Sequence, residues 1–409
     1  MLRWIIFILV YVGLSIYALQ ALKTAVRQPW WYYGYMAIAA VVLINFIYQF
    51  TAGEEAGRVL SRPKSYAFGL LLTVLTFKII TILFLFSEDI FRVLAGGYQK
   101  LFGATKAFSL PERRRFLSLM AMGIAAVPFG ALLYGMFKGK YNFRVLRYDM
   151  EFDDLPEAFH GYQITQISDI HSGSFDDREK ITYAVNLVNE QQSDVILFTG
   201  DMVNNQAKEM LPWKALFGTL EAKDGKFSVL GNHDYGDYIP WETEALKRQN
   251  LEQLKSIQRE MGFDLLLNEH RYLQKGEDRI ALVGVENWGR GGFKKAGDLK
   301  KAAAQIAPTD FKVLMSHDPS HWEDVVLHDE QHYHLTLSGH THGMQFGIEI
   351  PGWIKWSPVK WRYKYWAGIY EELGQYINVN RGFGFLGYPG RVGIWPEITV
   401  ITLKKRQLT

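Results

Sequence analysis

Four apolar stretches crowd the first 137 residues, and they restrict the fold more than any other feature of the chain. They run roughly over residues 2–22, 30–51, 65–87 and 116–137. A bilayer core is crossed by about 20 consecutive apolar residues, so each stretch is long enough to span it. In hydrocarbon every backbone N–H and C=O must find its partner within the segment, which selects helices. The second stretch opens on WWYYGY, Trp30 to Tyr35. Such aromatic belts settle at headgroup level. We expect residues 1–140 to form a four-helix transmembrane region and residues 141–409 a separate soluble domain, in a multi-pass protein of the cell membrane. Lys78 interrupts the third span. A lone lysine without an acidic partner makes a poor relay, so a snorkelling or helix–helix role is expected.

Orientation is harder to read, because the basic residues flanking the spans divide evenly between the two sides. The segment ERRRFLSLMAMGIAAVPFG, Glu112 to Gly130, tips the balance. Arginines followed by Phe-Leu and an apolar run resemble a twin-arginine export signal. No A-x-A cleavage site follows, so the segment would stay as an anchor. The C-terminal domain is therefore expected outside the cytoplasm.

From Tyr141 onward the periodicity alternates between strand and helix. FRVLRYDMEF, YQITQISDIH, VILFTGD, DLLLNE, RIALVGV, FKVLMSH, HLTLSGH, YINVN and EITVITL have the character of strands. Residues 176–191, 241–261 and 296–306 carry helical apolar spacing. Many strands with interspersed helices suggest an α/β sandwich. The chain has no cysteine, which removes disulfides, thiolate metal sites and cysteine nucleophiles from consideration. Its net charge of +3 is too small to argue for a nucleic-acid partner.

Five segments share one design, an apolar strand that ends in residues able to bind a metal. They are QISDIHSG with Asp169 and His171, LFTGDMVNN with Asp201, SVLGNHDYG with Asn232, His233 and Asp234, VLMSHDP with His317, and LSGHTHG with His340 and His342. Strand-end loops carry function on a rigid scaffold. Two histidines two apart share one side if the strand continues, and can then serve one metal or two neighbouring ones. Any one segment is weak evidence. All five, in this order, are not.

This set resembles the calcineurin-like metallophosphoesterases, whose pattern D-x-H, G-D, G-N-H-D, a lone His and G-H-x-H is matched in full. Flanking similarity reaches the GYPGR-containing tail and covers most of residues 145–405. The resemblance implies a four-layer αββα sandwich around a dinuclear metal centre. It implies that Asp169, His171 and His342 bind one ion, that Asn232, His317 and His340 bind the other, and that Asp201 bridges them. Two divalent ions about 3.5–4 Å apart clamp a phosphoryl group and acidify a bridging water, whose hydroxide attacks phosphorus. Oxygen and nitrogen ligands suit Mn, Fe or Zn. His233, beside a ligand without being one, can protonate the leaving oxygen. Asp234 would orient or charge-stabilise that imidazole.

Asn204, its neighbour Asn205, Arg290 and Arg381 are candidate substrate contacts, arginine being the natural fork for phosphate. His160, His270, His321, His328, His332 and His334 fall outside the pattern and are expected to be structural. The stretch PGWIKWSPVKWRYKYW, Pro351 to Trp366, interleaves four tryptophans with four cations. We expect it to touch the membrane surface beside the site. The substrate expected is a membrane-associated phosphoester, a lipid-linked or envelope phosphodiester, with the bilayer as partner and no nucleic acid. The alternative is a UDP-diacylglucosamine pyrophosphatase of lipid A synthesis, whose substrate faces the cytoplasm. A non-catalytic scaffold or sensor should have lost ligands, and none is missing here. Oligomeric state is left open.

Overall fold

A computed structural model describes residues 2–52, 59–102, 111–350 and 352–407. Arg58, Lys106 and Pro351, which enter the charge and loop arguments above, lie outside the described residues, as do residues 408–409. The chain separates into two compact units, one comprising the N-terminal helices through Phe137 and one running from Lys138 onward.

The first unit is four helices, α1 (Leu2–Ala25), α2 (Pro29–Thr51), α3 (Arg62–Phe102) and α4 (Pro111–Phe137). Each is long and apolar enough to cross a membrane. α2 begins on Pro29, whose fixed φ suits the first helical turn. Lys78 of α3 is fully buried, and its Nζ donates to Ser15 Oγ of α1 at 2.7 Å. The same ammonium lies 3.5 Å from the centre of the Tyr11 ring, whose hydroxyl donates to the Ala39 carbonyl of α2. The lysine is thus a helix–helix contact that draws three helices together.

α3 is 41 residues long. At 1.5 Å per residue it measures about 60 Å, twice the hydrocarbon thickness. The expected span ended near residue 87, but the helix continues to Phe102, through the Gly96-Gly97 pair. Its polar extension is held by ion pairs to α4, Glu88 with Arg113 at 3.1 Å and Asp89 with Arg114 at 3.0 Å. Two arginines of the ERRR run therefore also have partners within the bundle.

The second unit contains two six-stranded sheets. The first comprises β1 (Arg144–Phe152), β2 (Tyr162–Ile167), β3 (Val195–Phe198), β4 (Lys226–Ser228), β5 (Phe263–Leu265) and β14 (Glu397–Lys405), in the order β1-β14-β2-β3-β4-β5. The second comprises β6 (Glu269–Lys275), β7 (Asp278–Gly284), β8 (Lys312–Met315), β9 (Leu335–Ser338), β12 (Gly368–Glu372) and β13 (Gln375–Val379), in the order β12-β13-β9-β8-β7-β6. β2 to β5 are parallel, as are β7, β8, β9 and β13. A separate hairpin pairs β10 (Ile348–Ile350), just before the tryptophan-rich stretch, with β11 (Ile354–Trp356) inside it.

Strand periodicity builds the layers. In β3, Val195 and Leu197 face the other sheet, where they meet Leu282, Val313 and Leu335. Ile196 and Phe198 face the opposite way, onto helices α5 (Arg178–Asn189) and α7 (Glu244–Glu260). A strand buried on both faces reads as a continuous apolar run, which is why VILF lacks alternation. On the far side, Ala281, Val283 and Leu314 pack against α8 (Leu299–Ala302) and α9 (Pro319–Asp324), the latter carrying the fully buried Trp322. The result is the four-layer αββα sandwich. A short helix, α6 (Lys214–Gly218), adds Phe217 to the first outer layer.

The α5 stripe Ile181, Ala184, Val185 and Val188 is buried as its spacing requires. Asp177 caps the helix by accepting the Lys180 N–H at 3.1 Å, a contact that stabilises it by about 1 kcal/mol. The helix expected over residues 296–306 is only α8, four residues long.

Candidate metal centre

Five strands end at one place. β2 delivers Asp169 and His171, β3 Asp201, β4 Asn232, His233 and Asp234, β8 His317, and β9 His340 and His342. The chain bends sharply as it leaves them. Asp169, His171, Asp201, His340 and His342 all have positive φ, between 47° and 69°. For residues with a Cβ the left-handed region costs about 1–2 kcal/mol each. Strain of this kind persists where the surroundings impose it, and it clusters at functional sites.

The expectation that His340 and His342 share one side required the strand to continue. β9 stops at Ser338, both histidines turn left-handed, and they join different groups. Asp169, His171 and His342 offer ligand atoms within 4.8 Å of one another, as do Asp201, His317 and His340. Nε2 of His171 lies 3.0 Å from Nε2 of His342, which is 3.2 Å from Asp169 Oδ1. Asp201 stands between the groups: its Oδ2 is 3.1 Å from His317 Nε2 and 3.6 Å from His171 Nε2. Two glycines allow this crowding. A Cβ on Gly231 would overlap the Asp201 carboxylate, and one on Gly339 would overlap Ser168 and Asp169.

Hydrogen bonds at the back of the site aim the donor atoms. His317 Nδ1 donates to the Thr199 carbonyl at 2.8 Å, leaving Nε2 inward. Asn232 Nδ2 donates to the Tyr238 hydroxyl at 2.8 Å, which turns Oδ1 inward. His340 Nε2 is engaged by Tyr363 at 2.8 Å and lies 3.3 Å from Asp318 Oδ2, which leaves Nδ1 inward. Of the three remaining atoms, Asn232 Oδ1 and His340 Nδ1 are buried without a hydrogen-bond partner among the described residues, and His317 Nε2 faces the Asp201 carboxylate at 3.1 Å. Orphaned buried acceptors cost about 1–3 kcal/mol each. A divalent cation is the partner this donor set fits. Burial opposes charge on Asp201, yet the His317 and His233 imidazoles hold its carboxyl well below the usual range. Burial likewise opposes charge on His317, and Asp201 raises it to about 10.

His233 lines the same cavity, of about 700 Å³. Its Nδ1 donates to the Asn204 carbonyl at 2.8 Å. Burial lowers its imidazole below the ordinary value, with Asp201 opposing. Asp234 does not orient this ring. Its carboxylate accepts from the backbone N–H groups of Asp201, Met202, Val203 and Gly231 at 2.8–3.3 Å. Residues 233–235 form a 3₁₀ turn, in which neighbouring side chains point about 120° apart, so the two cannot face each other. Asp234 instead ties the Asp201 loop to the Asn232 loop.

The substrate contacts suggested by sequence lie in other surroundings. The Asn204 side chain meets Ser174, and the Asn205 carbonyl accepts from Asn250. Arg290 pairs with Glu323 and Asp324, and Arg381 is buried between Glu349 and Glu397. Sequence reasoning missed Tyr238 and Phe293, which line the cavity; Arg362 and Tyr363, which also line it, belong to the tryptophan-rich stretch expected beside the site. It also missed Arg391 of the tail, fully buried and donating to the carbonyls of Arg381, Gly382 and Gly384. No local pattern distinguishes these residues, because contacts distant in sequence bring them in. The histidine following Pro319-Ser320, His321, is buried with Nδ1 2.8 Å from Ser316 Oγ, apart from the ligand groups.

Comparison with known proteins agrees with this geometry. The family described as "Probable Calcineurin-like phosphoesterase, transmembrane domain" matches residues 2–140, and the calcineurin-like phosphoesterase family matches residues 162–344. The metallophosphoesterase YkuE of Bacillus subtilis is 28% identical over 303 residues, covering 72% of this chain and 98% of that protein. The Danio rerio transmembrane protein with metallophosphoesterase domain is also 28% identical over 303 residues, but the chain covers only 63% of its length. A 5'-nucleotidase precursor from Thermus thermophilus aligns with a TM-score of 0.35 at 12% identity, over 56% of this chain and 52% of that one. With both family matches in chain order, and two histidine–carboxylate groups at the strand ends of an αββα sandwich, the chain belongs to the calcineurin-like metallophosphoesterases that carry a four-helix transmembrane domain.

Proposed function

We propose that this protein is a membrane-anchored, dinuclear-metal phosphoester hydrolase acting on a lipid-linked or envelope phosphodiester. The observation that carries the reading is the convergence on Asp201 of His317 Nε2, 3.1 Å from its carboxylate, with Asn232 Oδ1 and His340 Nδ1, both buried and without a hydrogen-bond partner among the described residues. Asp169, His171 and His342 would hold one divalent ion, Asn232, His317 and His340 a second, with Asp201 shared between them. Ions bound there would supply positive charge for a phosphoryl group and acidify water at the site. The donors are nitrogen and oxygen only, which suits Mn, Fe or Zn.

The chain's own residues would do the rest. Asn204 holds the His233 ring through Nδ1, so Nε2 is the nitrogen that can give a proton to the departing oxygen. Asp234 fixes the loop that carries Asp201. Tyr363 and Asp318 hold His340 in the rotamer that turns Nδ1 inward. Arg362, on the cavity wall, is better placed than Arg290 or Arg381 to meet an anionic group. We further propose that the catalytic domain faces the extracytoplasmic side. A cytoplasmic domain would favour the UDP-diacylglucosamine pyrophosphatase reading instead. The complete donor set argues against a scaffold that has lost its chemistry.

The test is metal removal from the purified full-length protein. Native protein should carry two ions per chain, and chelation should abolish phosphodiester hydrolysis, with Mn, Fe or Zn restoring it. Asp201→Ala should lose both ions together. Two ions retained in that variant would overturn the shared role of Asp201. Hydrolysis unaffected by complete chelation would overturn the metal-dependent reading.

A further inference from the structure

The hairpin of β10 and β11 lies outside both sheets and leaves two of its isoleucines exposed. Ile348 pairs with Trp356, Glu349 with Lys355, and Ile350 with Ile354. Side chains alternate along a strand, so these pairs sort into two faces. The charged pair bonds into the domain: Glu349 holds Arg381, and Lys355 Nζ donates to the Ala367 carbonyl. The apolar pairs occupy the other face, where Ile348 is 51% and Ile350 42% exposed while Ile354 and Trp356 are half-buried.

The surroundings extend the apolar surface. Trp353, at the turn, is 77% exposed, and Trp361 is 75% exposed with its ring 6.0 Å from that of Trp356. Met344 and Phe346 are also exposed and lead into the hairpin from the metal loop. Contiguous apolar patches of this kind mark a contact. Among the four cations of the stretch, Lys355 is engaged as above and Lys364 pairs with Glu372. The positive charge left at the patch is that of Lys360 and Arg362. Trp366 is buried and packs within the domain. Met344, Trp361 and Arg362 belong both to this patch and to the wall of the metal-centre cavity, which makes the two surfaces continuous.

We propose that the hairpin is an interfacial anchor: its apolar face enters the headgroup boundary of an anionic bilayer and passes an amphiphilic phosphoester to the cavity. Indole rings settle at that boundary, and lysine and arginine are drawn to anionic lipid. The substrate class is a phosphoester whose hydrocarbon part lies along Met344 and Trp361 while its phosphate reaches the metal centre. This rests on the hydrolase reading above and adds the surface that selects the substrate.

The native chain has no cysteine, so Trp353→Cys carries a unique nitroxide label. Leu373→Cys, at the exposed β12–β13 turn, is the control. In full-length protein reconstituted in phosphatidylglycerol–phosphatidylcholine vesicles, the 353 label should be accessible to oxygen and shielded from a water-soluble nickel chelate. The 373 label should show the reverse. Ile350→Ser with Trp353→Ser should raise the apparent KM for a phosphodiester embedded in vesicles by about tenfold or more, the equivalent of losing one large apolar burial. Bis-p-nitrophenyl phosphate, which is soluble, should be turned over as before. A 353 label open to the nickel chelate overturns the anchor, and so does an equal loss for both substrates. Shielding that grows with the protein-to-lipid ratio assigns the face to a second copy of the chain and also overturns it. None of these results touches the hydrolase reading, which instead fails if the native protein hydrolyses neither substrate.

Discussion

Replacing His233 with alanine removes an imidazole whose attachments separate cleanly into ring and backbone. The ring is held by the Asn204 carbonyl and packs beside His171 and Tyr238, with centroids 4.9 and 4.5 Å away. The connection to the metal groups runs through the backbone, because the His233 N–H donates to Asp201 Oδ1 at 2.8 Å. Alanine keeps that bond. Both ions should therefore stay bound, and the loss should fall on proton transfer. General acid catalysis contributes about 10²–10⁴-fold, a barrier change of about 3–5 kcal/mol. A full loss of that size is expected for an alkyl phosphodiester, whose alkoxide must be protonated as it leaves. A p-nitrophenyl ester needs little protonation and should lose about tenfold or less.

The assay is kcat/KM for both esters, with metal content measured on the same preparations. Because burial lowers the His233 imidazole, its protonated fraction grows as pH falls. The alkyl ester should accordingly show a limb of rising rate toward lower pH that His233→Ala lacks. Equal losses for the two esters would refute the general-acid role and leave His233 as a residue that positions phosphate. Loss of metal from the variant would refute the separation of ring from backbone.

Burial lowers the His321 imidazole from 6.5 to about 4. Between those values the unfolded chain binds a proton that the folded chain refuses, so stability present above pH 6.5 is lost as pH falls toward 4. The total is about 3 kcal/mol. Denaturant titrations from pH 7 to 4 should give a shallower decline for His321→Gln than for the native protein, and identical declines would refute this. A reporter fused after Thr409 should read extracytoplasmic, and Arg113→Lys with Arg114→Lys should lower export while lysine preserves the charge facing Glu88 and Asp89. A cytoplasmic signal from the native protein would overturn the orientation and favour the lipid A precursor reading.

The spans, the αββα class and the residues of the two histidine–carboxylate groups were all legible in the chain before any coordinates. The spans, the α/β sandwich and the candidate ligands rest on local rules: twenty apolar residues for a span, a period of two or 3.6 for a strand or helix, and a strand end for each ligand. The four layers and the grouping of the ligands were implied by the family resemblance. Even so, local rules overshoot where they assume persistence. His340 and His342 part because the chain turns left-handed after Ser338, and α3 runs on past its apolar span, where Glu88 and Asp89 pair with arginines of α4. Tertiary structure alone decided which atom of each candidate ligand faces inward. That depends on hydrogen bonds such as His317 to Thr199 and Tyr363 to His340, whose partners are 118 and 23 residues apart. It also decided that Asp234 serves the backbone, that Arg381 is held by Glu349 and Glu397, and that the hairpin turns Ile348 and Ile350 outward. A sequence records what each residue can bind. Which partner it meets is set by strands that the fold brings together from distant parts of the chain.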